Sequence, residues 1–201
     1  MLEIMKKRII CCQFGKKFND WHVENLKYMI DHHSGIEYDD FEVITNDIYG
    51  NWYNKLQMFD KFRDGENLYF DLDIIIYNKV PKLWRKPFTL LHDHWRITEN
   101  THTPLNSSIV SWTGDVSHIW DKFKSDDDFY LKKYYKGSDE FYYKEIDYET
   151  YGPDICYSIK GHEYEKLGNP NYSICTLGQM HHILEQGWTG WWSKYLLAKK
   201  F

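Results

Sequence analysis

The chain has 201 residues, 42% of them hydrophobic and 27% charged, a balance that excludes a disordered chain and favours one globular domain. A formal charge of −5 without a long basic run argues against a protein that binds nucleic acid by neutralising phosphates. No apolar stretch of about 18 residues is present to span a bilayer, and the opening MLEIMKKRII lacks the apolar core and cleavage site of a signal peptide.

RIICCQF (8–14) is an apolar run closed by Gly15 and reads as a buried first strand. A helix follows, with Asp20 as its expected cap and Val23, Leu26 and Ile30 at helical spacing. FEVIT (41–45) is a second strand closed by Asn46 and Asp47. Trp52, Leu56 and Phe59 then share one face of a second helix. LYFDLDIII (68–76) reads as one continuous third strand, the strongest in the chain. Strand, helix, strand, helix, strand predicts an α/β fold with a parallel sheet.

Further on, FTLLH (88–92) and SSIVSW (107–112) read as strands. Val116, Ile119, Trp120 and Phe123 predict a helix, and the charged, tyrosine-rich stretch 124–152 predicts helix plus loop. ICYSIK (155–160) and YSICTLG (172–178) are short late strands. In the closing GWTGWWSKYLLAKKF, Trp188, Trp191, Trp192 and Tyr195 recur at helical spacing beside lysines. Such a tail can meet a membrane interface or an acceptor groove, but packing on the domain is the preferred reading.

Aromatics are in surplus at 18%, with 17 Tyr and 9 Trp. Core packing absorbs most of such a surplus, and the rest suits stacking on sugars, bases or partners. Cys11, Cys12, Cys156 and Cys175 form neither a C-x-x-C pair nor a regular framework, which predicts reduced thiols and a cytoplasmic protein. The sequons at Asn106 and Asn171 are then accidental.

Asp71 and Asp73 are carboxylates in an apolar run, and dehydrating them is costly unless something pairs with them. In a strand, residues i and i+2 face the same way, so the two can converge at the carboxyl end of a sheet where ligands bind. That suits a hard divalent cation that also holds phosphate oxygens. The alternative is that one aspartate caps a loop while the other pairs with a nearby Lys or Arg.

The order TND (45–47), WYNKLQMF (52–59), LYFDLDIII (68–76), NSSIVSW (106–112) and HIWDKF (118–123) resembles the small GT-A glycosyltransferases of bacterial and viral genomes, distant relatives of glycogenin-like enzymes. The resemblance implies a single GT-A (Rossmann-like) α/β domain over 1–201, its mostly parallel central sheet flanked by helices. Residues of about 8–78 would form the nucleotide-binding half and about 79–201 the acceptor and sugar half. It also implies transfer of a sugar from a nucleotide-diphosphate sugar (UDP- or GDP-) with Mn2+ or Mg2+, to an unknown acceptor such as a glycan or a lipid-linked molecule.

By matching position, Asp71 and Asp73 would bind the cation and the donor's ribose and diphosphate. Phe14, Gly15, Thr45, Asn46 and Asp47 would edge the nucleotide pocket, and Lys55 would lie near the phosphates or the preceding loop. Asn106, Ser107 and Ser108 would line the sugar side.

Two stretches depart from the family. Where relatives carry G-D-Q-D or similar, this chain has GSDEF (137–141): Asp139, the catalytic candidate beside Asp73, or Glu140 can face the sugar, but a solvated acidic loop is the preferred reading. Where relatives have a metal-binding His next to a glycine, this chain has Leu177, so His181 is preferred over His182 as the third ligand. Two other functions remain open. One is a catalytically weak nucleotide-sugar or carbohydrate-binding protein on the same fold, and the other is a metal-dependent phosphohydrolase.

Overall fold

The computed structural model describes residues 5–80, 82–94, 103–159, 172–177 and 192–198. Strand β1, Lys7–Cys12, is apolar and almost wholly buried. It ends two residues short of the expected run, and Gly15, at φ 66°, turns the loop that carries Phe14. Helix α1, Asp20–Met29, is capped by Asn19 rather than Asp20: the Asn19 N–H donates to His22 Nδ1 at 3.1 Å. Asp20 instead accepts from Gln13 Nε2 at 2.9 Å, tying the helix start to the loop. Leu26, Met29 and Ile30 face the core, the last opening a wider turn, Ile30–Ser34, that Gly35 closes.

Strand β2 is Asp40–Ile44. A 3-10 turn, Trp52–Leu56, runs into α2, Gln57–Lys61. Three residues per turn bring Tyr53, Leu56 and Phe59 inward. Trp52, expected on the buried face from a 3.6 period, is therefore 51% exposed.

The expected third strand is two. Strand β3 is Glu66–Phe70 and β4 is Ile74–Ile76. Between them Asp71, Leu72 and Asp73 leave one sheet and enter another. Paired on both sides within a central strand, the two carboxylates would be dehydrated; at the break they reach polar partners. Apolar continuity hid the break, because Leu72 and Ile74–Ile76 are all buried.

Strands β5, Thr89–His92, and β6, Leu105–Thr113, match expectation. Helix α3, His118–Lys124, buries Ile119 and Phe123. The tyrosine-rich stretch forms α4, Asp127–Lys133, and α5, Ser138–Glu145, before β7, Glu149–Thr150. Strands β8, Cys156–Ser158, and β9, Ile174–Thr176, complete the described strands. From the tail, Trp192 is buried in the core and Tyr195, in a 3-10 turn at Ser193–Tyr195, packs edge-on to His33 at 5.2 Å. The tail thus packs on the domain, while Trp188 and Trp191 lie outside the described residues.

The main described sheet has the order β2-β1-β3-β6-β5-β7. β1 is parallel to β2 and β3, β6 is antiparallel to β3 and β5, and β7 is parallel to β5. Five strands therefore run one way and β6 runs the other. Alternation sorts the side chains. Ile9, Cys11, Leu68 and Phe70 meet α1 and the second sheet, β4-β9-β8. Ile10, Cys12, Tyr69 and Val110 meet α2, α3 and α5 through Phe59, Phe123 and Phe141.

Candidate active site at the carboxyl end of the sheet

β2 and β3 flank β1 on opposite sides, so the chain reverses its direction of travel across the sheet at β1. In open α/β sheets that reversal opens a crevice past the carboxyl ends of the strands. Phe14 and Gly15 follow β1, Thr45 to Asp47 follow β2, and Asp71 and Asp73 follow β3. The antiparallel pairing of β3 with β6 brings Asn106, Ser107 and Ser108 to the same end.

Backbone bonds hold the two aspartates in the gap between the sheets. The Asp71 N–H donates to the Ser108 carbonyl at 2.9 Å, and the Leu177 N–H donates to the Asp73 carbonyl at 2.8 Å. Asp71 Oδ1 accepts from the Tyr69 hydroxyl at 2.6 Å and from Lys55 Nζ at 3.3 Å. Asp73 Oδ2 lies 3.2 Å from Lys17 Nζ. Burial, and then the charge of Asp71, push the Asp73 carboxyl up to about 6.

Lys55 stands at the centre. Its ammonium donates to Ser107 Oγ at 2.8 Å and to the Ser107 carbonyl at 3.2 Å, as well as to Asp71. Burial alone would favour the neutral amine, but Asp71 and Asp139 outweigh it and raise the Lys55 pKa. Asp139, in the first turn of α5, accepts from the Ser107 N–H at 3.1 Å and from the Ser107 hydroxyl. GSDEF is thus no solvated loop: Asp139, Ser107, Lys55, Asp71 and Tyr69 form one chain of polar contacts. Burial, then Asp71, hold the Tyr69 phenol well above its ordinary value, so it stays a donor. Burial pushes the neighbouring Cys12 thiol up to about 12, which removes it as a nucleophile.

The other expected residues make contacts of their own. Asp47 accepts from the Gly50 N–H and from Asn54 Nδ2, both at 2.7 Å, and so shapes the turn that carries Lys55. Asn46 is bonded to Gln57, and Thr45 is exposed. Asn106 spends its side-chain oxygen on the Ser108 N–H at 2.9 Å. Phe14 packs against the core on the α2 side of the sheet. His181 and His182 lie outside the described residues. Sequence reasoning missed Lys17 and Tyr69. The signals were a lysine pair directly after Gly15 and a tyrosine two residues before Asp71, on the same strand face.

Asp71 and Asp73 fit a hard divalent cation. Both are oxygen donors, their charges oppose each other in a partly dehydrated gap, and Asp73 already attracts an ammonium. No group of three His, Cys, Asp or Glu that could hold a metal occurs among the described residues.

No protein-family model and no curated protein sequence matches the chain. Solved structures do resemble it. A glycosyltransferase involved in glycosylation of the major capsid of PBCV-1 is 13% identical, with a TM-score of 0.63 over 89% of this chain and 98% of that one. The galactosyltransferase LgtC, solved in complex with donor and acceptor sugar analogs, is 10% identical, with a TM-score of 0.59 over 84% and 86%. The apo-form glycosyltransferase GlyE of Streptococcus pneumoniae TIGR4 is 11% identical, with a TM-score of 0.55 over 95% and 62%. No described helix is long and apolar enough to cross a membrane. At these identities the likeness is one of architecture: the chain has the α/β fold of these glycosyltransferases.

Proposed function

We propose that this chain is a glycosyltransferase that moves a sugar from a nucleotide-diphosphate sugar to an acceptor. The observation that carries the reading is the pairing of Asp71 and Asp73 in the switch-point crevice, with the buried ammonium of Lys55 beside them. Solution of LgtC with donor and acceptor sugar analogs supports a nucleotide-sugar donor for a chain of this fold.

In this reading Asp71 and Asp73 hold Mn2+ or Mg2+, with His181 as third ligand. The cation supplies Lewis-acid stabilisation of the departing diphosphate. Lys55 adds a fixed positive charge to the same cluster, already oriented by Ser107 and needing no reorganisation as charge develops. Asp139, held by Ser107, would orient the acceptor hydroxyl. Phe14, Gly15 and the 45–47 turn border the nucleotide, while Asn106 to Ser108 border the sugar. Residues of about 8–78 serve the donor and those of about 79–201 the acceptor, within one domain.

The test is thermal unfolding with a panel of UDP- and GDP-sugars, with and without Mn2+. A ligand at about 100 times its dissociation constant adds roughly 2.7 kcal/mol. That corresponds to a rise of about 5–10 °C for a chain of this size. A shift that needs both sugar nucleotide and Mn2+ is expected, and no shift with any of them at millimolar concentration contradicts the reading. For the third ligand, His181→Ala should weaken Mn2+ binding where His182→Ala does not, and the wild-type manganese preference should fade below about pH 6.5.

A further inference from the structure

Each acid of the pair faces a lysine, and the two lysines are placed differently. Lys55 is enclosed, with a side chain 7% exposed. Lys17 reaches in from the loop after β1, two residues past the turn at Gly15, and its side chain is 42% exposed. Its ammonium stands 3.2 Å from Asp73 Oδ2, on a carboxylate only 9% exposed, and 4.6 Å from the centre of the Phe18 ring.

An ammonium hydrogen bond and metal coordination draw on the same carboxylate lone pairs. With both charges on one buried oxygen, the lysine and a divalent cation also repel each other. We propose that Lys17 Nζ and the divalent cation compete for Asp73, and that the displaced ammonium is a binding group for the donor's diphosphate. Lysine suits this exchange. It is a compact point charge on a flexible stem, it binds phosphates, and here its side chain is 42% exposed. Lys55 cannot make the move, because three contacts and burial hold it. The inference rests on the proposed function and adds a residue and an order of events to it.

The test is calorimetric titration of the full chain with Mn2+ alone, and with UDP and GDP at saturating Mn2+. Wild type, Lys17→Met and Lys17→Arg are compared. Lys17→Met should bind Mn2+ about three- to tenfold more tightly and the nucleoside diphosphate about three- to tenfold more weakly, from the loss of one partly exposed pair in each case. Lys17→Arg should stay near wild type for both. A merely structural lysine would move both affinities the same way or neither, and either result overturns the inference while leaving the metal reading intact. Loss of measurable Mn2+ binding in wild type and variants alike overturns both.

Discussion

Asp71 and Asp73 lie two residues apart and each meets a lysine, yet the two pairs belong to different parts of the molecule. The Asp71 side is built into the sheet: Lys55 is buried and bonded to Ser107, Tyr69 donates to the same carboxylate oxygen, and Asp139 closes the chain of contacts. The Asp73 side is open to the loop, where Lys17 makes a single ion pair from a half-exposed position. The difference is that between a charge that organises the fold and a charge that can be exchanged. The proposed function would use both kinds.

Breaking the fixed side should have the largest effect. Lys55→Met removes the cation beside Asp71, leaving Tyr69 as the remaining side-chain donor to that carboxylate, and takes a donor from Ser107, and should cost about 3 kcal/mol. Thermal unfolding should read this as a fall of about 6–12 °C.

The open side should respond in the opposite sense. The Asp73 carboxyl is raised from 3.8 to about 6 in the folded chain, so the unfolded chain ionises first as pH rises. Metal-free stability is therefore lost between about pH 4 and 6. Asp73→Asn removes that slope and should be more stable than wild type at pH 7 in EDTA, by on the order of 2 kcal/mol, with the gap closing near pH 4. Chemical denaturation across that range checks it. With Mn2+ and donor the order should reverse, because the variant has lost a ligand.

Ser107→Ala sharpens the comparison from the fixed side. It removes the hydroxyl between Lys55 and Asp139 and should cost about 1.5 kcal/mol in denaturant unfolding. Lys17→Met should change stability by about 0.5 kcal/mol or less, since its pair is half-exposed and screened. An equal loss in Lys17→Met and Lys55→Met would erase the distinction between the two sides.

Much of this was legible in the sequence because hydrophobic period reports what is buried. The alternation of strand and helix through residue 76 and the acids Asp71 and Asp73 stood out as pattern and as exception. What period could not report is which partner a strand has. LYFDLDIII reads as one strand, and only the separate pairings of β3 with β6 and β4 with β9 break it. Trp52 departs from the expected face because a 3-10 turn has a period of three, and the cap falls to Asn19 rather than Asp20, the two being equally apt by type. Asp139 had an ambiguous setting in the sequence. Its place depends on Ser107, 32 residues earlier, and no local pattern records such a contact.

The central claim is that Asp71 and Asp73 serve a cation-assisted glycosyl transfer. Its most direct test is release of nucleoside diphosphate from a panel of UDP- and GDP-sugars, measured with Mn2+, with EDTA, and in the Asp73→Asn variant. Release by wild type with Mn2+ that falls at least about 100-fold in EDTA and in the variant is the predicted result. Equal release by the folded Asp73→Asn variant, or none by wild type with any sugar nucleotide, would contradict it.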